Sequence, residues 1–107
     1  MNENRIQMLK ERMKDSSDDP FYIYALALEY KDFEPKKSLE LLEESQKLFP
    51  DYLPVYFQLA ELLLQFNQKD IALEVYRKGI ELAKKQSENK TLAELQNAMQ
   101  NLLYEED

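Results

Sequence analysis

The chain has 107 residues, enough for one small domain and too few for two of ordinary size. It holds no cysteine and no histidine, which excludes disulfide frameworks, thiolate nucleophiles, zinc fingers, imidazole bases and haem ligation. A 44% hydrophobic share with 33% charged residues fits a folded domain in water, and a net charge of −7 repels nucleic-acid phosphates and anionic membranes, so neither is expected as a partner.

One glycine, few β-branched residues and abundant Leu, Glu, Lys and Gln predict an all-α chain of about six helices. In chain order, apolar spacing places Ile6, Leu9 and Met13 on one face of a first helix, and Ile23, Leu26, Ala27 and Tyr30 on a second. A third carries Leu39, Leu42, Ser45, Gln46 and Leu48, and a fourth Tyr56, Leu59, Ala60 and Leu63. The fifth carries Ala72, Tyr76, Gly79, Ile80 and Leu82, and the sixth Leu92, Leu95, Met99 and Leu102. Either Leu92/Leu95/Met99 or Leu95/Ala98/Leu102 can be the buried stripe of the sixth.

Punctuation falls between these segments. Asp19-Pro20 reads as an N-cap followed by proline in the first turn, where the missing N–H costs nothing, and Pro35 and Pro54 serve two further starts. Pro50 follows the third helix, and Asn67 suits a left-handed helix–helix turn. Thr91 with Glu94 forms a capping-box pattern that predicts a last helix from about Leu92. The start Met1-Asn2-Glu3-Asn4-Arg5 leads into no apolar segment, and the longest apolar run, Phe21 to Leu28, is too short to cross a bilayer. A cytoplasmic location without a leader is the expectation.

The segments repeat. Leu26-Ala27 recurs 33 residues later as Leu59-Ala60, and Ser38-Leu39-Glu40-Leu41-Leu42 recurs 34 later as Ala72-Leu73-Glu74-Val75-Tyr76. Ser45 maps onto Gly79 and Leu48 onto Leu82; the one-residue difference falls in the turn between Tyr30 and Ser38. With its helix pairs of about 34 residues, small residues at the crossings and Pro50 closing the first pair, the chain resembles the tetratricopeptide repeat (TPR) family, and in particular short stand-alone bacterial members. The signature positions are Ile23, Leu26, Ala27, Tyr30, Ser38, Leu42, Ser45 and Pro50 in one repeat, and Tyr56, Leu59, Ala60, Leu63, Ala72, Tyr76 and Gly79 in the other. Lys84 stands where the second repeat would close with proline, which predicts a helix that runs on.

The resemblance implies a right-handed stack of helical hairpins in a single domain. It assigns residues 5–19 to a degenerate half repeat, 20–52 and 53–86 to two repeats, and 91–104 to a capping helix. Arg5 departs from the small residue usual at its position. The resemblance also implies a concave wall built from the first helix of each pair. By register this wall would present Phe21, Tyr24, Ala25, Leu28 and Lys31, then Phe57, Gln58, Glu61, Leu64 and Gln65, with Asn97 and Gln100 of the last helix. Of these, Tyr24, Leu28, Lys31, Phe57, Gln58, Glu61, Leu64 and Asn97 are the expected peptide contacts. Phe21 and Leu64 have a plainer reading as edge core, and Tyr24 as a ring lying across the wall with its hydroxyl in water.

The carboxylate clamp of some members needs cations where this chain has Tyr24, Leu28 and Gln58, so that specificity is missing. Glu61 puts an anion mid-wall, which matches an apolar protein or peptide partner with a nearby Lys or Arg. The alternative is self-association or an assembly scaffold, two copies pairing through the same wall or through the edge of the last helix; a further reading has the groove filled by the chain's own tail, Leu103-Tyr104. A monomer is expected, with a homodimer as the alternative state.

Catalysis and cofactors are not expected. In Asp15-Ser16-Ser17-Asp18-Asp19, Pro20 stands where a calcium loop needs its glycine and Leu26 where it needs a bidentate glutamate. Glu43-Glu44 reads as a solvated face and Glu105-Glu106-Asp107 as a frayed tail. A single glycine leaves no phosphate-cradling loop.

Overall fold

A computed structural model describes residues 2–105; of the acidic tail, Glu106 and Asp107 lie outside the described residues, as does Met1. The described residues form six α-helices: α1 (Glu3–Asp15), α2 (Pro20–Tyr30), α3 (Pro35–Leu48), α4 (Pro54–Gln65), α5 (Lys69–Lys85) and α6 (Asn89–Tyr104). The chain divides into two compact units, Met1–Val55 and Tyr56–Asp107.

Three of the six helices begin with proline, whose fixed φ and absent N–H suit the first turn. Asp19 caps α2 by accepting the Phe21 amide at 3.0 Å. Asn2 caps α1 in the same way, accepting the Arg5 amide at 3.0 Å.

In the first unit, α1 and α3 both pack on α2. Ile6 and Leu9 of α1 meet Ala25, Leu26 and Tyr30 of α2, with Met13, Tyr22 and Leu41 packed against them. Ala25 is therefore core, not wall: it faces α1, because a helix with a neighbour on each side buries more than one stripe. Arg5 fits its unusual position by pairing with Glu29 of α2, Nε to Oε2 at 2.8 Å. At the α2–α3 turn the Lys31 amide bonds the Leu28 carbonyl, and the buried Ser38 hydroxyl donates to the Ala27 carbonyl at 2.7 Å. Lys37 sits over the Tyr30 ring with Nζ 4.8 Å from its centroid. Leu48, expected on the apolar face, is 60% exposed in the last turn of α3.

In the second unit, Gly79 lets α5 approach α4 and α6 closely. A Cβ there would lie 2.8 Å from the Tyr56 Cβ and 3.2 Å from a Leu95 methyl. The stripe of α6 is set by buried Leu95 and Leu102, with Leu92, Ala98 and Met99 half-buried beside them. Leu62 on α4 is fully buried although the repeat signature omits it, as is Val55, the last residue of the first unit.

Two turns share one closure. Asn67 has φ 60° and Ser87 φ 57°. The Gln68 amide bonds the Leu63 carbonyl and the Asn67 amide the Leu64 carbonyl; Glu88 and Ser87 repeat the pattern on Ala83 and Lys84. These are Schellman closures, which satisfy the last carbonyls of a helix through one left-handed residue. The second explains the end of α5, which runs through Lys84 to Lys85 and then stops. It also corrects the predicted start of α6. Because the backbone has already turned at Ser87, the helix begins at Asn89, before Thr91, and no side chain caps it.

Candidate functional site

The wall residues of the first unit lie on α2. Tyr24, Leu28 and Lys31 are half-buried and Phe21 is exposed. Tyr24 meets Tyr52, from the α3–α4 connection, edge to face, with ring centroids 5.6 Å apart and planes at 70°. Burial, and then the neighbouring Tyr52, push the Tyr24 phenol above its ordinary pKa. Burial and then the Asp19 carboxylate do the same to Tyr52. Tyr24 and Tyr52 are thus neutral hydroxyl donors at physiological pH, held by each other rather than lying loose in solvent.

The wall residues of the second unit lie on α4. Phe57, Gln58 and Leu64 are half-buried, and Glu61 and Gln65 are exposed. Phe57, which shares a repeat position with Tyr24, also makes an edge-to-face contact: its centroid is 6.3 Å from that of Tyr76 on α5, with planes at 75°. Tyr76 is fully buried as a residue, and its hydroxyl donates to Oε2 of Glu61 at 2.8 Å. Burial first, then the hydrogen bond and charge of Glu61, hold this phenol far above its ordinary pKa. Asn97 and Gln100 of α6 are exposed.

In each repeat an aromatic ring, Tyr24 of α2 or Phe57 of α4, is therefore braced by a tyrosine outside its own helix. Sequence reasoning missed both braces. Tyr52 lies in a connection, where no periodicity marks it, and Tyr76 reads as pure core. At the end of α6, Leu103 is exposed and Tyr104 is 76% exposed.

Repeated hairpins with small residues at the crossings and an aromatic position kept in each repeat define a helical repeat protein. No protein-family model matches the chain, and no curated protein matches it. Solved structures do. A tetratricopeptide repeat domain protein from Salinibacter ruber is 38% identical over 78% of this chain; its solution structure (86% of that chain covered) gives a TM-score of 0.74 and its crystal structure (94% covered) 0.75. The chain belongs to the tetratricopeptide repeat family, whose helical modules typically mediate protein–protein interaction. A Bordetella parapertussis protein, 18% identical over 94% of this chain and 88% of its own, shares the fold with a TM-score of 0.78. Among the described residues no helix is long and apolar enough to cross a membrane.

Proposed function

We propose that the chain is a non-enzymatic binding module in the cytoplasm that holds a protein or peptide through the exposed parts of α2 and α4. The contacts are Tyr24, Leu28 and Lys31 in the first unit and Phe57, Gln58, Glu61 and Leu64 in the second, with Asn97 of α6 at the margin. One observation supports this most directly. The same repeat position carries a half-exposed aromatic in both repeats, Tyr24 and Phe57, each braced by a tyrosine. Solvated helix faces do not need such rings, and rigid aromatics contribute contact area at low entropic cost. With Tyr24, Leu28 and Gln58 where a carboxylate clamp needs cations, the reading draws its affinity from apolar area and the Glu61 charge.

The test compares partners retained by the native chain and by a Tyr24→Ala/Phe57→Ala variant whose helicity is checked by circular dichroism. A protein retained by the first and lost by the second supports the reading. Equal retention by both overturns the site, and a mass in solution that rises with concentration would move the function to self-association.

A further inference from the structure

We propose that the second unit holds a seat for a cationic side chain of the partner, arginine before lysine, with Glu61 as the acceptor and Tyr76 as the residue that positions it. The proposal rests on the protein-binding reading above and adds the chemistry of what binds. Glu61 stands exposed on α4, one turn after Phe57 and one turn before Leu64, both half-buried. One helix face thus presents a carboxylate between an aromatic and an aliphatic group.

An exposed glutamate ordinarily samples many rotamers and gives up that freedom on binding. Here the buried Tyr76 hydroxyl holds Oε2 at 2.8 Å, so the ordering is already done. The phenol stays a donor across the neutral range because burial and the carboxylate both oppose its ionisation. A carboxylate has about four acceptor positions and this bond takes one, leaving room for a guanidinium or ammonium head. The apolar stem of an arginine or lysine can then lie on Leu64 and Phe57 while its head meets the carboxylate. Arginine fits better, since its planar fork can meet a fixed carboxylate in two places and stack on a ring. A chain of net charge −7 also attracts a basic segment and repels an acidic one.

The test titrates the full-length chain, followed residue by residue by NMR, with the acetylated and amidated pentapeptide Leu-Ala-Arg-Ala-Leu and with counterparts carrying citrulline or glutamate at the centre. The expected result is shifts at Phe57, Glu61 and Leu64, with arginine preferred over citrulline by about fivefold, as for one partly exposed charge-assisted contact. That preference should fall below about twofold in Glu61→Gln and weaken in high salt, since screening acts on exposed charges. Tyr76→Phe should lower the preference while citrulline-peptide binding stays constant, a split that a purely structural tie between α4 and α5 would not give. Glu61→Asp, which keeps the charge and shortens the reach to Tyr76, should also lower it. If all three peptides shift these residues equally, the protein-binding reading stands and the cation seat is overturned. A preference that survives in Glu61→Gln overturns the seat as well. If no peptide shifts these residues, α4 is not a peptide surface and both readings fail there.

Discussion

Ser38 on α3 reaches across to α2 and gives its hydroxyl to the Ala27 carbonyl at 2.7 Å, inside the first unit where neither residue touches water. The last turn of α2 leaves carbonyls without amides of their own, and one of them is met by the next helix. The second repeat has Ala60 and Ala72 at the same two positions and must close without that bond. Ser38→Ala should therefore cost about 1 kcal/mol, the usual net value of a buried hydrogen bond, even though alanine is the better helix former. Urea unfolding at neutral pH, followed by circular dichroism, measures it.

Ser45 makes the opposite prediction. It is fully buried on α3, and its Oγ has no hydrogen-bond partner. A buried hydroxyl without a partner loses its hydration and gains nothing in return. Ser45→Ala should raise the unfolding free energy by roughly 0.5–1.5 kcal/mol, and a loss of stability in the same experiment would contradict the packing described.

Gly79→Ala tests the close approach of α5. Helix propensity alone would favour alanine by about 1 kcal/mol. The added Cβ, however, would sit 2.8 Å from the Cβ of Tyr56, an atom at the root of its side chain that cannot swing away. Overpacking should win, with a net loss of about 1–3 kcal/mol seen as a lower urea midpoint.

Ser87 holds a left-handed conformation that glycine adopts at no steric cost. Ser87→Gly should stabilise the α5–α6 closure by about 0.5–1 kcal/mol, whereas Ser87→Val should destabilise it. Thermal unfolding of the two variants gives opposite shifts if the Schellman closure is as described.

Alkaline pH provides a further check. Tyr24, Tyr52 and Tyr76 all titrate above the ordinary value of 10.0 in the folded chain. Their contribution to stability is present in full below that value. As pH rises past it, the unfolded chain releases these protons first, binds fewer than the folded one, and stability falls. The stability advantage of the native chain over Tyr76→Phe should therefore shrink between pH 9 and pH 11. Ultraviolet absorbance at alkaline pH should show a fraction of the seven tyrosines titrating late.

Much of the architecture was legible in the residues themselves. Apolar spacing, three prolines and a repeat offset of 33 to 34 placed the helices and their pairing, because each of these signals is local or periodic. Asn67 announced its left-handed turn for the same reason, while Ser87 gave no comparable signal and so the start of α6 was placed too late. The choice between the two stripes of α6 could not be made from its own sequence, since both are helical and both contain Leu95; the burial of Leu102, with Leu92 and Met99 only half-buried, favours Leu95/Ala98/Leu102.

The candidate site divides in the same way. By itself the sequence determined that Tyr24 and Phe57 share a repeat position and that Glu61 stands one turn after Phe57. Only the tertiary structure decided that Ala25 is core, that Tyr52 braces Tyr24, and that Tyr76 reaches from α5 to hold Glu61. Spacing along one helix fixes which residues share a face, but what meets that face comes from chain distant in sequence. A hydrogen bond between residues 15 apart leaves no periodic trace.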